Sequence, residues 1–292
     1  MLTEKYKTKI TSKHKLLDLH LKETFQYRDL IFLFVKRDFV SKYKQTFLGP
    51  LWAVIQPLLT TIVFTFIFGN LASLTTSDIP GEYIVPGFLF YMVGTVIWGY
   101  FSSNVSAISG TFIANRGTMG KVYYPRLVAP ISTAFSNLIS FAIQFAMIII
   151  TWLIFYFIGG YSLQFTPMML LVLPALLETM ILSIGIGLII SAVTTKYRDL
   201  QMLVSFGLQL VQYASPIAYG LTLVSGLHPH LEVAYMIINP MSPIITTFRY
   251  GVLGFGYFNG LYYATSWIIT VLVFFIGLLL FSRTERTFMD TI

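Results

Sequence analysis

The sequence predicts an all-α integral membrane protein with six transmembrane helices, preceded by an interfacial amphipathic helix and carrying re-entrant helices between spans five and six. Of the 292 residues, 56% are hydrophobic and 11% are charged, whereas a soluble domain carries about 25% charged residues. The apolar residues also lie in long stretches without charge. Strands of a membrane β-barrel are alternating segments of about ten residues, so these stretches favour helices.

The N-terminal region divides into two predicted segments. Residues 1–26 are rich in lysine and form a basic cytoplasmic tail that faces solvent or lipid headgroups. We expect this tail to be retained, because no short apolar region with a small-residue cleavage site follows it. Residues 27–46 are predicted as the interfacial helix, with Phe32, Val35, Phe39 and Tyr43 on one stripe at helical spacing.

Five stretches without a charged residue account for the six spans of the membrane domain, residues 27–292. A hydrocarbon core of about 30 Å needs about 20 helical residues. The stretch 127–177 is long enough for two spans and contains a turn-forming break at 159–167. The predicted spans lie near residues 48–71, 83–109, 128–158, 167–194, 201–225 and 260–281.

Two helix-breaking segments precede the sixth span: 215–220 in the last part of the fifth span, and 239–243 beyond it. The second begins another apolar run. Interrupted helices at membrane depth are tolerated only where they are buried in protein or line a cavity. We therefore predict re-entrant half-helices on the outer side, close to the exit of a pathway.

The positions of lysine and arginine predict the orientation. Eleven precede residue 45, three lie between spans two and three, two lie between spans four and five, and two follow span six, so eighteen of the nineteen fall on one side. The positive-inside rule places this side and both termini in the cytoplasm.

The chain lacks the groups that catalysis of its own would need. It has no G-x-x-x-x-G-K-[ST] phosphate loop and no cysteine, so we predict a pore-forming subunit that is not an enzyme. His228, His230 and Glu232 have the ligand types of a metal site, but nothing in the sequence demands a metal. We predict no metal and no cofactor in this chain.

Glu178 is the only acidic residue inside a predicted span. A carboxyl group at that depth is costly and is a functional-site hypothesis by default. The structural alternative is a glutamate that forms hydrogen bonds with Asn137, Gln144 or a partner chain.

Aromatic residues on spans two and five are predicted to contact a glycan in transit, because aromatic rings pack on the C–H faces of sugars. The alternative is packing inside the protein or an interfacial belt. The residues are Phe88, Phe90, Tyr91, Trp98, Tyr213 and Tyr219.

Six motifs in this order resemble the membrane subunits of ABC-2 type exporters of O-antigen, capsular polysaccharide or teichoic acid. The resemblance covers residues 28–292. The motifs are RDL at 28–30 with KRD at 36–38, YKQTFLGPLW at 43–52 with QP at 56–57, KVYYPRL at 121–127, YRD at 197–199, NP at 239–240 with FR at 248–249, and RTERTF at 283–288.

The resemblance implies a homodimer in the bacterial cytoplasmic membrane, bound to lipids and to two ATP-binding cassette subunits that hold ATP and magnesium. It also implies export of an undecaprenyl-type lipid-linked glycan, without a role for nucleic acid. O-antigen is the favoured cargo, and capsule or teichoic acid is the alternative. An ion-coupled carrier that uses Glu178 is a second hypothesis, and a membrane enzyme of glycan assembly is a third.

Two sets of residues receive roles from the resemblance. The coupling segment to the ATPase comprises Arg116, Lys121, Tyr123, Tyr124, Pro125 and Arg126. It departs from the family pattern in the glycine-rich run 115–120 and in Tyr124, where a phenylalanine is expected. The cations of the cytoplasmic rim either attract the carrier pyrophosphate or anchor lipid headgroups; they are Arg28, Lys36, Arg37, Lys42 and Lys44.

Overall fold

Twelve α-helices and no strand make up the part of the chain that the structure describes. The computed structural model describes residues 21–288 except 45, 72–86, 120–122, 160–165, 196, 198, 228 and 255. The helices are α1 (Leu21–Gln26), α2 (Arg28–Tyr43), α3 (Trp52–Phe64), α4 (Gly87–Ser109), α5 (Thr111–Met119), α6 (Val128–Gly159), α7 (Val172–Thr194), α8 (Leu200–Tyr213), α9 (Leu221–Leu227), α10 (Pro229–Ile238), α11 (Met241–Leu253) and α12 (Gly260–Phe288).

Within the described residues, four helical segments are long and apolar enough to cross a membrane: Gly49–Leu71, Val128–Ile158, Pro167–Thr194 and Gly260–Thr284. They coincide with the first, third, fourth and sixth predicted spans. The first combines a short 3-10 turn, α3 and a π-helical end at Thr65–Leu71. These four segments confirm an all-helical protein of the membrane type.

Helix α4 occupies the position of the second predicted span and forms the centre of the bundle. It packs against α7, α6, α3 and α11. Most of its side chains are buried, and Phe90, Tyr91 and Ile97 are among the largest fully buried side chains described. The helices around α4 therefore shield it from the surroundings on most sides.

The predicted fifth span does not form one continuous helix over residues 201–225, and the predicted helix-breaking segment at 215–220 is confirmed. Helix α8 ends at Tyr213 after 14 residues, a length of about 21 Å. Residues 214–220 are not helical, and the chain resumes as α9 at Leu221. Pro216 explains the break, because a proline has no amide hydrogen and clashes with the preceding helical turn.

Helix α2 packs on α6 with residues from inside and outside the predicted stripe, since Tyr43 of the stripe is buried as well. Phe34 is buried, whereas Phe32 on the predicted stripe is 73% exposed and Leu33 is 61% exposed. The ring of Phe34 packs edge-to-face on Tyr124 with a centroid distance of 5.5 Å. Because the opposite side of α2 is also apolar, a single-stripe pattern does not describe this helix.

Glycines allow α7 and α12, the most extensively packed helix pair, to approach closely. A Cβ atom added at Gly277 would lie 2.5 Å from the carbonyl oxygen of Gly185, and one added at Gly185 would lie 2.8 Å from the Cα atom of Phe274. Small residues at membrane helix interfaces permit this contact between backbones. The pair forms a rigid wall behind α4.

Candidate functional site

A polar groove runs along the bundle from α2 towards the middle of α4. It consists of three adjoining cavities of about 350, 620 and 410 Å³, and Lys42 and Asn137 line all three. On α4 the lining extends from Ala107 to Thr95, twelve residues or about 18 Å at the helical rise. We call these three cavities the groove.

Uncharged polar side chains dominate the lining. Amides and hydroxyls come from α3, α4, α6 and α8, so the groove is built by helices distant in sequence. They are Gln56, Thr60, Thr95, Ser102, Ser103, Ser106, Asn137, Ser140, Gln144, Ser205, Gln209 and Gln212. The aromatic rings of Trp52 and Trp98 lie among them.

Hydrogen bonds fix the wall of the groove near α2. The Tyr43 hydroxyl and the Ser140 hydroxyl lie 2.9 Å apart, and the Lys42 ammonium donates to Ser140 Oγ at 3.4 Å. The Asn137 amide donates to Asn104 Oδ1 at 2.9 Å. Since Asn104 in turn donates to Ser183 on α7 at 3.1 Å, α4, α6 and α7 are connected through side chains at this level.

The groove narrows at the end distant from α2. There the hydroxyls of Thr61 on α3 and Thr95 on α4 lie 3.1 Å apart. Beyond Thr95, the consecutive α4 residues 89–93 are at most 1% exposed. The groove is therefore open on the α2 side and sealed by close packing on the other.

Only Trp98 among the six predicted aromatic contacts lines the groove. Phe90 and Tyr91 are buried in the core, and Phe88 faces Phe155 at a centroid distance of 6.4 Å. The prediction of glycan contact is wrong for these three residues, because their rings pack against other side chains where the surrounding helices enclose α4.

The two remaining aromatic residues also lie outside the groove. Tyr213 is 53% exposed at the end of α8, and the Tyr219 hydroxyl lies 3.0 Å from that of Tyr235 on α10. Trp52 and the polar residues of spans one, three and five were missed, although amides inside apolar stretches are a signal that could have found them.

The predicted basic rim divides into two groups. Lys42 lines the entire groove, and Arg37 lines only its α2 end, where its guanidinium pairs with Asp38 at 2.8 Å. Arg28, Lys36 and Lys44 are exposed and do not line the groove. They therefore remain candidates for contact with lipid headgroups.

The predicted coupling segment contains a helix despite its glycines. Helix α5 follows α4 directly, and its Phe112 ring stacks on Phe281 at the end of α12 with a centroid distance of 4.5 Å. Arg116 lies in α5 with a side chain outside the described set, and Lys121 lies outside the described residues.

The end of this segment is held against α2. Tyr124 and Pro125 are buried, so Tyr124 serves as a packing residue beneath Phe34 and is not available to a partner. Burial raises the pKa of Tyr124, while the nearby charges of Arg37 and Arg126 oppose the rise. Tyr123, by contrast, is 74% exposed.

Glu178 lies inside the α7–α12 interface and does not line the groove. Its carboxylate accepts a hydrogen bond from Ser266 at 2.6 Å and one from Thr270 at 3.4 Å. The predicted partners Asn137 and Gln144 are therefore wrong for the bonds that the structure describes. The hydrogen-bond donors to Glu178 are instead hydroxyl groups on α12.

The outer histidine cluster is described only in part. His228 and the His230 side chain lie outside the described residues. Glu232 accepts a hydrogen bond from the Tyr257 hydroxyl, and burial together with this bond raises the pKa of Tyr257.

Arg249 is a buried cation that sequence analysis named only as part of the FR motif at 248–249. Its guanidinium lies 3.6 Å from the ring centroid of Phe90 and donates to the carbonyls of Pro216 at 2.9 Å and Ile217 at 3.3 Å. A Cβ atom at Gly94 would lie 2.7 Å from the Arg249 Nη2 atom. Gly94 thus leaves room for an arginine that joins α11, α4 and the break after α8.

Comparisons with known proteins agree with this architecture. An O-antigen export system permease, RfbA of Klebsiella pneumoniae, is 29% identical over 90% of this chain and 94% of its own length. A permease of the same name from Myxococcus xanthus is 25% identical over 78% of this chain and 82% of its own length.

A third relative is the polysialic acid transport protein KpsM of Escherichia coli, which is 28% identical over 87% of this chain and 93% of its own length. A family model described as "ABC-2 type transporter" matches residues 29–253, from α2 to the end of α11. The chain therefore belongs to the ABC-2 type transporter family of membrane proteins.

Proposed function

We propose that this chain is the membrane permease of an ABC exporter for lipid-linked polysaccharide, with O-antigen as its cargo. The observation that carries the proposal is the groove, a conduit of uncharged amides, hydroxyls and indoles inside an apolar protein. The named O-antigen export permeases among its relatives support the same cargo.

The lining fits a sugar chain that must slide. Amide and hydroxyl groups both donate and accept hydrogen bonds, and each neutral bond contributes only about 1 kcal/mol net. The Trp52 and Trp98 rings add apolar faces for sugar C–H groups. Many weak contacts of this kind hold a polymer without trapping it.

The proposed assembly contains two copies of the chain and two ATP-binding subunits in the bacterial inner membrane. In this assembly α4, and α8 together with segment 214–220, complete six crossings. Helices α9–α11 form the re-entrant part on the outer side, and the α2 end faces the cytoplasm. The asymmetry of lysine and arginine supports this orientation. ATP and magnesium would belong to the partner subunits.

Lys42 and Arg37 are the proposed contacts for the pyrophosphate of the lipid carrier. They are the cations at the cytoplasmic mouth of the groove, and charge-assisted hydrogen bonds to phosphate are the stronger type. The exposed Tyr123 and helix α5 are the proposed docking points for the ATPase.

A pair of glycine substitutions tests the groove as the pathway. A Cβ atom meets nothing within 4 Å at Gly99 or at Gly207, but only Gly99 lines the groove. In a strain that lacks the native permease, Gly99→Leu should abolish surface O-polysaccharide, and Gly207→Leu should preserve it. Normal surface glycan in a Gly99→Leu strain with normal permease levels would refute the assignment.

The ion-coupled hypothesis predicts a different result. It requires Glu178 to take part in transport, and Glu178→Gln would then abolish export while an ion gradient replaced ATP. Because Glu178 contacts α12 and not the groove, we expect Glu178→Gln to retain export. Reconstituted complex with ATP, with and without an ion gradient, separates these outcomes.

A further inference from the structure

Within the described lining, Lys42 is the only charged side chain beyond the α2 end of the groove. Among the described residues that line the three cavities, the charged ones are Arg37, Asp38 and Lys42, all on α2; Arg37 and Asp38 line only the cavity at the α2 end, whereas Lys42 lines all three. Arg37 and Asp38 pair with each other. From Ser102 to Thr95 on α4, and on the facing parts of α3, α6 and α8, the polar lining groups are amides, hydroxyls and indoles.

This distribution of charge favours a neutral polymer over a polyanionic one. A charge that moves from water into such a groove loses hydration, which is costly unless an opposite charge replaces it. Pores for anions and phosphates meet this cost with rings of lysine or arginine. In the described lining, a polymer with a carboxylate or phosphate on every repeat would find as cations only Lys42 and the Asp38-paired Arg37, whereas neutral sugar hydroxyls match the amides throughout.

The family does not fix the charge of the cargo. Relatives of similar identity include O-antigen export permeases and a polysialic acid transport protein, and polysialic acid carries a carboxylate on each sugar. The lining of the groove in this chain is therefore the observation that distinguishes a neutral cargo from a charged one.

We infer that the groove selects an uncharged polysaccharide and rejects a polyanionic one. Lys42, which lines all three cavities, matches a single anionic group that enters once per chain, and the amides and hydroxyls around it match the neutral repeats that follow. This inference rests on the proposed function and narrows its substrate class.

The test uses the complete complex of permease and ATP-binding subunits in proteoliposomes. Two substrates on the same lipid carrier and of equal length are compared: a neutral hexose polymer and a sialic acid polymer. We expect the neutral polymer to be translocated faster by about tenfold or more, because each buried charge lacks a partner. Equal rates, or a faster polyanion, would overturn the inference alone. Transport of neither would overturn the proposed function as well.

Matched substitutions connect the selectivity to the groove. Gln144 on α6 and Gln212 on α8 both line it, and Lys and Glu are similar in size but opposite in charge. Gln144→Lys should raise the ratio of sialic acid polymer to neutral polymer transported, and Gln144→Glu should lower it. A folding defect would slow both substrates alike, so the ratio still reports charge. An unchanged ratio in the Lys variants at both positions would overturn the inference.

Discussion

Replacement of Arg249 should loosen the outer part of the bundle. In Arg249→Ala, the buried carbonyls of Pro216 and Ile217 lose the donors that lie 2.9 and 3.3 Å away. A buried acceptor without a partner costs about 1–3 kcal/mol. The ring of Phe90 also loses a guanidinium at 3.6 Å, a contact that contributes about 2 kcal/mol when desolvated.

Because the two acceptors share one donor group, their costs do not add fully; counted once and added to the cation–π contact, they give a loss of about 3–5 kcal/mol. For a chain of this size, we expect the unfolding midpoint of the detergent-solubilised permease to fall by about 10 °C. Arg249→Lys keeps the charge but not the fork of donors, so it should recover only part of the loss.

Limited proteolysis locates the effect. Cleavage within residues 214–220 should accelerate in Arg249→Ala more than in Arg249→Lys, because the guanidinium donates to carbonyls in this segment. The control is Arg283→Ala, which removes an exposed arginine and should leave the midpoint within about 1 °C. An Arg249→Ala protein with the wild-type midpoint and wild-type cleavage rate would refute the assigned role.

Two further predictions concern packing. Gly277→Ala places a methyl group 2.5 Å from the Gly185 carbonyl oxygen, so α7 and α12 must separate at a cost of about 1–3 kcal/mol. This cost should lower the midpoint of thermal unfolding. Gly207→Ala adds a methyl group in open space and should leave that midpoint unchanged. Tyr124→Phe should have little effect on protease resistance or export, because it keeps the ring contact with Phe34. Tyr124→Ala should expose α2 to protease and reduce export. Equal behaviour of the two variants would contradict the packing role of Tyr124.

The helices that surround α4 were predictable from sequence because their apolar stretches have the length of a bilayer. The bounds of the fifth span, near 201–225, were not predictable in this way, although the helix-breaking segment at 215–220 contains Pro216 and indicated the break. Apolarity continues through residues 214–220, and composition alone does not show where the backbone leaves the helix. The tertiary contact that holds this break comes from Arg249, 33 residues further along the chain.

The aromatic residues show why the site was less predictable than the fold. Phe90, Tyr91 and Trp98 lie within nine residues on one helix, yet only Trp98 faces the groove. Which rings are buried depends on the helices that surround α4, and no single-helix pattern contains that information. The amides of Gln56 and Gln144, which sequence analysis did not assign to the site, carry a clearer signal, since an uncharged polar group in an apolar span needs a polar environment.

Helix α2 supplies the mechanical link that the proposed export cycle needs. Near its start, Phe34 packs on Tyr124 of the proposed coupling segment, and at its end Tyr43 is hydrogen-bonded to Ser140 in the groove wall. The nine residues from 34 to 43 span about 14 Å of helix. A displacement imposed on the coupling segment by an ATPase would move Phe34 and, through the same rigid helix, the contact at Ser140. The groove and the proposed coupling segment are therefore positioned by one element, through which the proposed export cycle would respond to ATP bound on a partner subunit.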